Sequence, residues 1–183
     1  MAIYEIDGKA PRIHPEAYVH PDAVVIGDVT IGAESTIWPG AVLRGDYGTI
    51  TVGARTSVQD GTVIHATAQV STTVGDGCVI GHLAHLEGCV LEDDSLVGSG
   101  SVVLHRAVIG HGATVGANAV VTNDMIVPPE ALAVGVPAVI KEGRSNLLFN
   151  QGAAALYVGN GKRYKATLVR LDPPGWSPLA SGG

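Results

Sequence analysis

The chain has 183 residues, a net charge of −6 and only one Phe, two Trp and five Tyr. That length suits a single domain, and an acidic balance without a basic run argues against nucleic-acid binding. No 18-residue apolar stretch is present, the N-terminus lacks a charged region followed by an apolar one, and two cysteines without CxxC spacing fit a reducing, cytoplasmic setting rather than a disulfide or a zinc knuckle.

From Val19 onward a branched aliphatic residue recurs at a nearly fixed interval of six. The series runs Val19, Val25, Ile31, Ile37, Leu43, then Val52, Val58, Ile64, then Val74, Ile80, Leu86, then Leu91, Val97, Val103, Ile109, Val115, Val121 and Val127. Neither an α-helix nor a hairpin has that period. A chain wound into a triangular prism does, with one inward aliphatic residue per flat face. The expected fold is therefore a mainly β solenoid, with three hexads per turn and three parallel sheets. A sandwich would alternate with period two instead. Small residues two places before the aliphatic one, such as Ala41, Thr62, Cys78, Ala84 and Ala107, leave room inside, and glycine after it suits tight corners. The register slips after Leu43 and after Ile64, and shortens between Leu86 and Leu91, where the coil must admit a loop or bend.

After Val127 the segment PPEALAVGVPAVI, with Pro128, Pro129 and Pro137, ends the repeat. The expected division is a coil with its N-terminal cap over 1–140, a helix over 141–171 lying on the prism to hide apolar surface, and an irregular Pro/Gly/Ser-rich tail over 172–183.

Against the Val, Gly and Ala background stand three clusters: Arg44-Gly45-Asp46, then Gln59-Asp60 with His65, then His82, His85 and Glu87. Arg44, Gln59, His65 and Glu87 directly follow an in-phase aliphatic residue, and His82 lies one place further, so these side chains point away from the core. His65 precedes His82 by about one full turn. Two imidazoles and a carboxylate on neighbouring rungs suit a divalent cation such as zinc. A flat solenoid face cannot enclose an ion, so a second subunit of a cyclic trimer would close the site. An isolated surface histidine or an Arg44–Asp46 ion pair needs no function, and His14, His20, His105, Arg106 and His111 read as surface or interface residues. No serine has an associated His/Asp arrangement, which argues against nucleophilic hydrolysis.

The ordered motifs LRGD, VQDG-x-x-x-H and GH-x-x-x-x-x-x-C, within a region from about Tyr4 to Tyr164, resemble the γ-class carbonic anhydrases of the hexapeptide-repeat superfamily. That resemblance implies a left-handed parallel β-helix with a C-terminal helix, assembled as a homotrimer. It implies zinc or another divalent ion (iron, cobalt, nickel) between subunits, two histidines coming from one chain and one from its neighbour. It also implies a lyase (carbonate dehydratase) reversibly hydrating carbon dioxide. Carried over, the metal ligands are His65, His82 and Glu87, the last standing where the family has its third histidine, with His85 as an alternative third ligand. Arg44 and Asp46 resemble the pair that bridges subunits, Asp60 supports the site, Gln59 resembles the residue that orients the reacting water, and Tyr157 or Tyr164 a helix tyrosine that approaches it. The segment ATAQVSTT, where the prototype carries a proton-shuttling Glu, has no carboxylate. An anionic third ligand leaves less charge on the metal, so hydration near neutral pH should be slower. Two other readings are a non-catalytic trimeric assembly protein, with the metal site lost, and an acyl-CoA-dependent acyltransferase.

Overall fold

The computed structural model describes residues 2–171, and counts below refer to them. The hexads form a left-handed coil of short parallel strands stacked on three faces. One face stacks Val42–Val52, Val63–His65, His85–Glu87, Val102–Val103 and Val120–Val121. The second stacks Tyr18–Val19, Thr36–Ile37, Ser57–Val58, Val79–Ile80, Leu96–Val97, Thr114–Val115 and Leu132–Val134. The third carries Thr72–Val74, Val90–Leu91, Val108–Ile109 and Ile126–Val127. The expectation of three sheets needs correction. Val24–Ile31 and Val42–Val52 run unbroken round a corner, so hydrogen bonding fuses the first and third faces into one 12-stranded sheet beside an 8-stranded one.

The six-residue phase marks the core. Val25, Ile37, Leu43, Val58, Ile64, Ile80, Leu86, Val97, Val103, Ile109, Val115, Val121 and Val127 are all fully buried, as are the small residues Ala41, Thr62, Cys78, Ala107, Ala113 and Ala119. Burying each large aliphatic side chain contributes about 1.5–3 kcal/mol. Not every glycine in the repeat is there for a left-handed corner. At Gly53 a Cβ would lie 2.6 Å from the backbone of Gly75 in the next coil, so close stacking of backbones excludes a side chain. The prolines do not end the coil. Leu132–Val134 still pairs in parallel with Thr114–Val115, and Ala133 occupies the next inward position. Closure comes from Val139–Lys141, which folds back antiparallel.

The helix spans Leu147–Thr167, shorter than the 141–171 segment, with the Asn146 side chain capping it by accepting from the Phe149 amide at 3.1 Å. It lies on the second face, contacting strands at Tyr18–Val19, Thr36–Ile37, Ser57–Val58 and Val79–Ile80. Its fully buried positions, Asn150, Ala154 and Gly161, are polar or small, whereas Leu148, Phe149 and Leu156 are exposed. Asn150 instead anchors it, donating to the carbonyls of Asp94 (3.2 Å) and Gly112 (3.1 Å). Tyr157 and Tyr164 pack edge-on against Trp38. No described helix is long and apolar enough to cross a membrane. The tail expected over 172–183 lies outside the described residues.

Candidate metal centre

The chemistry-bearing side chains fall into two groups, at opposite ends of the face that includes His85–Glu87. At the end of that face, Arg44, His65 and Glu87 occupy one rung line: Arg44 is in register with His65, and His65 with Glu87. Their inward neighbours Leu43, Ile64 and Leu86 are fully buried, so strand alternation turns all three outward. The imidazole of His65 is held on both sides. Its Nδ1 lies 2.8 Å from Glu87 Oε1 and its Nε2 3.1 Å from Asp46 Oδ1. A ring nitrogen donates to its carboxylate only where it carries hydrogen, and Asp46 has further donors. The other oxygen of Asp46 accepts from Arg44 at 2.5 Å, and the Tyr47 amide donates to Asp46 Oδ1 at 3.1 Å. Partial burial opposes ionisation of Asp46, but the hydrogen bonds from Arg44 and His65 outweigh it and hold the carboxyl below its usual range. For Glu87 the His65 hydrogen bond is the largest influence. It outweighs burial and, with the charge of His65, a hydrogen bond from His85 and the charge of His105, lowers that carboxyl as well.

Two further imidazoles reach Glu87. His85, two residues earlier on the same strand, shares its outward side and brings Nε2 to 3.4 Å from Oε2. His105 brings Nε2 to 3.6 Å from the same oxygen, and that nitrogen is buried without a hydrogen-bond partner. From the sequence His105 reads as a surface or interface residue. The signal for it was available: His105 lies two places after the buried Val103, as His82 lies two after the buried Ile80, and it follows Glu87 by three hexads.

The second group sits at the start of the face. His82 follows the Val79–Ile80 strand and is half exposed, with Nδ1 2.9 Å from Asp60 Oδ2. Gln59, adjacent to Asp60, is only 4% exposed, and its backbone N–H donates to the Ile80 carbonyl. Tyr157 belongs to this side through Trp38, whose strand registers with that of Gln59. His82 and Leu83 form the corner, with Leu83 at φ +59°, and the His85–Glu87 strand leads away from it, so His82 and Glu87 stand at the two ends of the face. A single chain therefore does not bring His82 to His65 and Glu87. Among the described residues, no three His, Cys, Asp or Glu of one chain are grouped to hold a metal ion. Cys78 and Cys89 are buried free thiols, pushed by desolvation to about 11 and about 12, and pack as small apolar residues. A cleft lined by Ile13, Tyr18, Tyr164, Lys165 and Leu168 contains none of these site side chains.

This coil with its helix defines the hexapeptide-repeat class. Residues 10–45 and 88–123 match the family described as Bacterial transferase hexapeptide (six repeats). The chain belongs to that family and, within it, groups with the carnitine operon protein CaiE. It is 45% identical over 141 residues to CaiE of Citrobacter koseri, a match covering 77% of this chain and 72% of that one. With CaiE of Escherichia coli K12 it is 48% identical over 110 residues, 60% of this chain but only 56% of that relative's length. Two solved structures superpose over nearly the whole coil. One is a Bacillus cereus protein named, provisionally, as an acetyltransferase (34% identity, TM-score 0.87, covering 90% of this chain and 97% of that one). The other is a hexapeptide transferase family protein of Anaplasma phagocytophilum (34%, TM-score 0.86, covering 89% and 98%).

Proposed function

We propose that this chain acts as a homotrimeric, γ-carbonic-anhydrase-like metalloprotein that reversibly hydrates carbon dioxide. The observation carrying this reading is the split of candidate donors between the two ends of one face, with His65 and Glu87 at one end and His82 at the other. A head-to-tail threefold contact would set the His82 end of each copy against the Glu87 end of the next.

The donor chemistry suits a zinc-type ion. Imidazole and carboxylate are its common ligands, and the Asp60 carboxylate on His82 Nδ1 fixes that ring with Nε2 outward, the usual outer-shell support of a ligating histidine. The residues that would hold the ion are Glu87, His65 and the His82 of a neighbouring copy. When bound, the ion would supply acidification of a water near neutral pH. The remaining work falls to this chain's own groups. Arg44 and Asp46 hold the His65 ring, and Gln59, buried on the His82 side, would orient the reacting water through its amide. The negative charge of Glu87 opposes that acidification, so turnover at neutral pH should be lower than with three imidazoles.

A carbon dioxide hydration assay on protein loaded with zinc, cobalt or anaerobic iron, alongside the solution mass, tests this reading. A trimer with metal-dependent hydration is expected, and a monomer inert with every metal would refute it. One observation favours a second reading, a trimer with no catalytic metal: Glu87 and Asp46 already occupy both nitrogens of His65. The transferase names of the two solved relatives make acyl-CoA transfer a third reading, which CoA-binding calorimetry tests directly.

A further inference from the structure

We infer that His105 replaces the imidazole missing at position 87, forming with Glu87 Oε2 the two-donor half of the metal site that this chain supplies. The inference rests on the proposed metal-dependent reading and changes its ligand set: His65 becomes the group that orients Glu87.

Glu87 approaches His65 from the Nδ1 side, while His65 Nε2 faces Asp46. The two nitrogens of one imidazole direct their lone pairs apart, so one ion cannot sit on His65 Nε2 and on a carboxylate docked at Nδ1. The side of Glu87 available to an ion is Oε2. The His105 nitrogen facing it stands at 3.6 Å, beyond the hydrogen-bonding range of about 2.7–3.2 Å. Two ligands at about 2.0–2.1 Å from a tetrahedral zinc are themselves about 3.4 Å apart. The spacing thus corresponds to neighbouring ligands better than to a hydrogen bond.

Two independent observations place His105 there for a reason. Its Nε2 is buried with no partner, and a buried polar atom left so is rare and unfavourable. The backbone also makes room for the ring. Gly88, directly after Glu87, has φ +61°, and a Cβ on it would lie 2.9 Å from His105 Cδ2 and 3.2 Å from Val70. The corner bearing His105 is fixed on both sides, since the Arg106 amide donates to the Gly88 carbonyl at 2.6 Å and the Asp124 amide to the His105 carbonyl at 3.0 Å. His85 reaches the same oxygen at 3.4 Å, so spacing does not separate the two imidazoles; what does is that the His105 nitrogen is buried and unpartnered and the His85 nitrogen is not among such atoms. Two donors make an incomplete site, in keeping with the lack of a three-donor group within one chain. The third donor is Nε2 of His82 from a neighbouring copy.

The test is cobalt(II) titration of the metal-free assembly, read by visible absorption and by equilibrium dialysis against zinc. The wild type should bind about one ion per chain with the intense bands of a tetrahedral site. His105→Ala should lose at least 100-fold in affinity and recover part of it with added imidazole. His105→Gln, which keeps the corner filled, should show the same loss. His65→Ala should weaken binding only about 10–100-fold, the usual effect of removing an outer-shell partner, and keep the tetrahedral bands. If both His105 variants match the wild type while His65→Ala abolishes binding, the inference fails and the His65 ligand set stands. If the wild type takes up no ion, the inference fails together with the metal-dependent reading.

Discussion

Ile109 and Ile126 carry the same side chain on the same face, one in the inward register and one beside it. Ile109 stacks between Leu91 and Val127 and is fully buried, whereas Ile126 pairs with Val108 and is 65% exposed. Truncating Ile109 to Ala removes three carbons from the core. At about 0.8 kcal/mol per buried methylene that is roughly 2.4 kcal/mol. The unfilled space adds a cavity contribution, because flanking coils stacked on hydrogen-bonded backbones collapse little, bringing the total to about 3–4 kcal/mol. Ile126→Ala removes the same atoms from a site that has given up only about a third of its exposure, so it should cost under about 1 kcal/mol. The assay is thermal unfolding by circular dichroism at one fixed chain concentration, since assembly makes the midpoint concentration-dependent. The midpoint of Ile109→Ala should fall several-fold further. Equal shifts, or a larger one for Ile126→Ala, would refute the claim that the six-residue phase separates core from surface.

Further expectations concern the site and the helix. Glu87→His exchanges an anionic donor for a neutral one and should raise hydration near pH 7, with the pH–rate curve moved to lower pH; superimposable curves for variant and wild type would contradict the role given to Glu87. The folded-state pKa values of Asp46 and Glu87 are both depressed, so their contribution to stability is full above the ordinary carboxylate range of about 4–4.5 and is lost as pH falls through the lower folded values. Glu87→Gln should therefore lose less stability than wild type between pH 5 and pH 2.5 in urea titrations, and parallel losses would count against the His65–Glu87 pairing. Asn150→Ala leaves the Asp94 carbonyl without its side-chain donor and the Gly112 carbonyl with Ser145 Oγ alone, and should cost about 1–3 kcal/mol, measured by the same thermal scan.

The fold was legible in the sequence because one inward residue per hexad leaves a signal of fixed period, and Ile64, Leu86 and Val103 sit where that period puts them. Sheet connectivity was not legible. Whether Val42–Val52 turns a corner as one strand depends on backbone geometry at RGDYGT, which carries no apolar phase. Pro128 and Pro129 do not end the repeat: they sit at a corner, and the coil continues through Ala133. At the site, the phase located Arg44, His65 and Glu87 on one line. It did not show that His65 would be clamped from both sides, because Asp46 reaches it from within the same long strand. His85 shares the Glu87 side through strand alternation, a period of two that the hexad conceals. His105 stands at the corner position that His82 occupies, two places after an aliphatic residue, but Leu104 holds the outward rung position beside it and no motif marks it.

The central claim is that each site is made by two chains. Glu87→Ala keeps His82, and His82→Ala keeps Glu87; neither variant alone should bind metal or hydrate carbon dioxide. If the two are unfolded together in equal amounts and reassembled, about one quarter of the contacts in a cyclic trimer pair an intact Glu87 end with an intact His82 end. The account predicts metal uptake and hydration near one quarter of the wild-type level in that mixture. No recovery in a mixture confirmed to contain mixed trimers would contradict it.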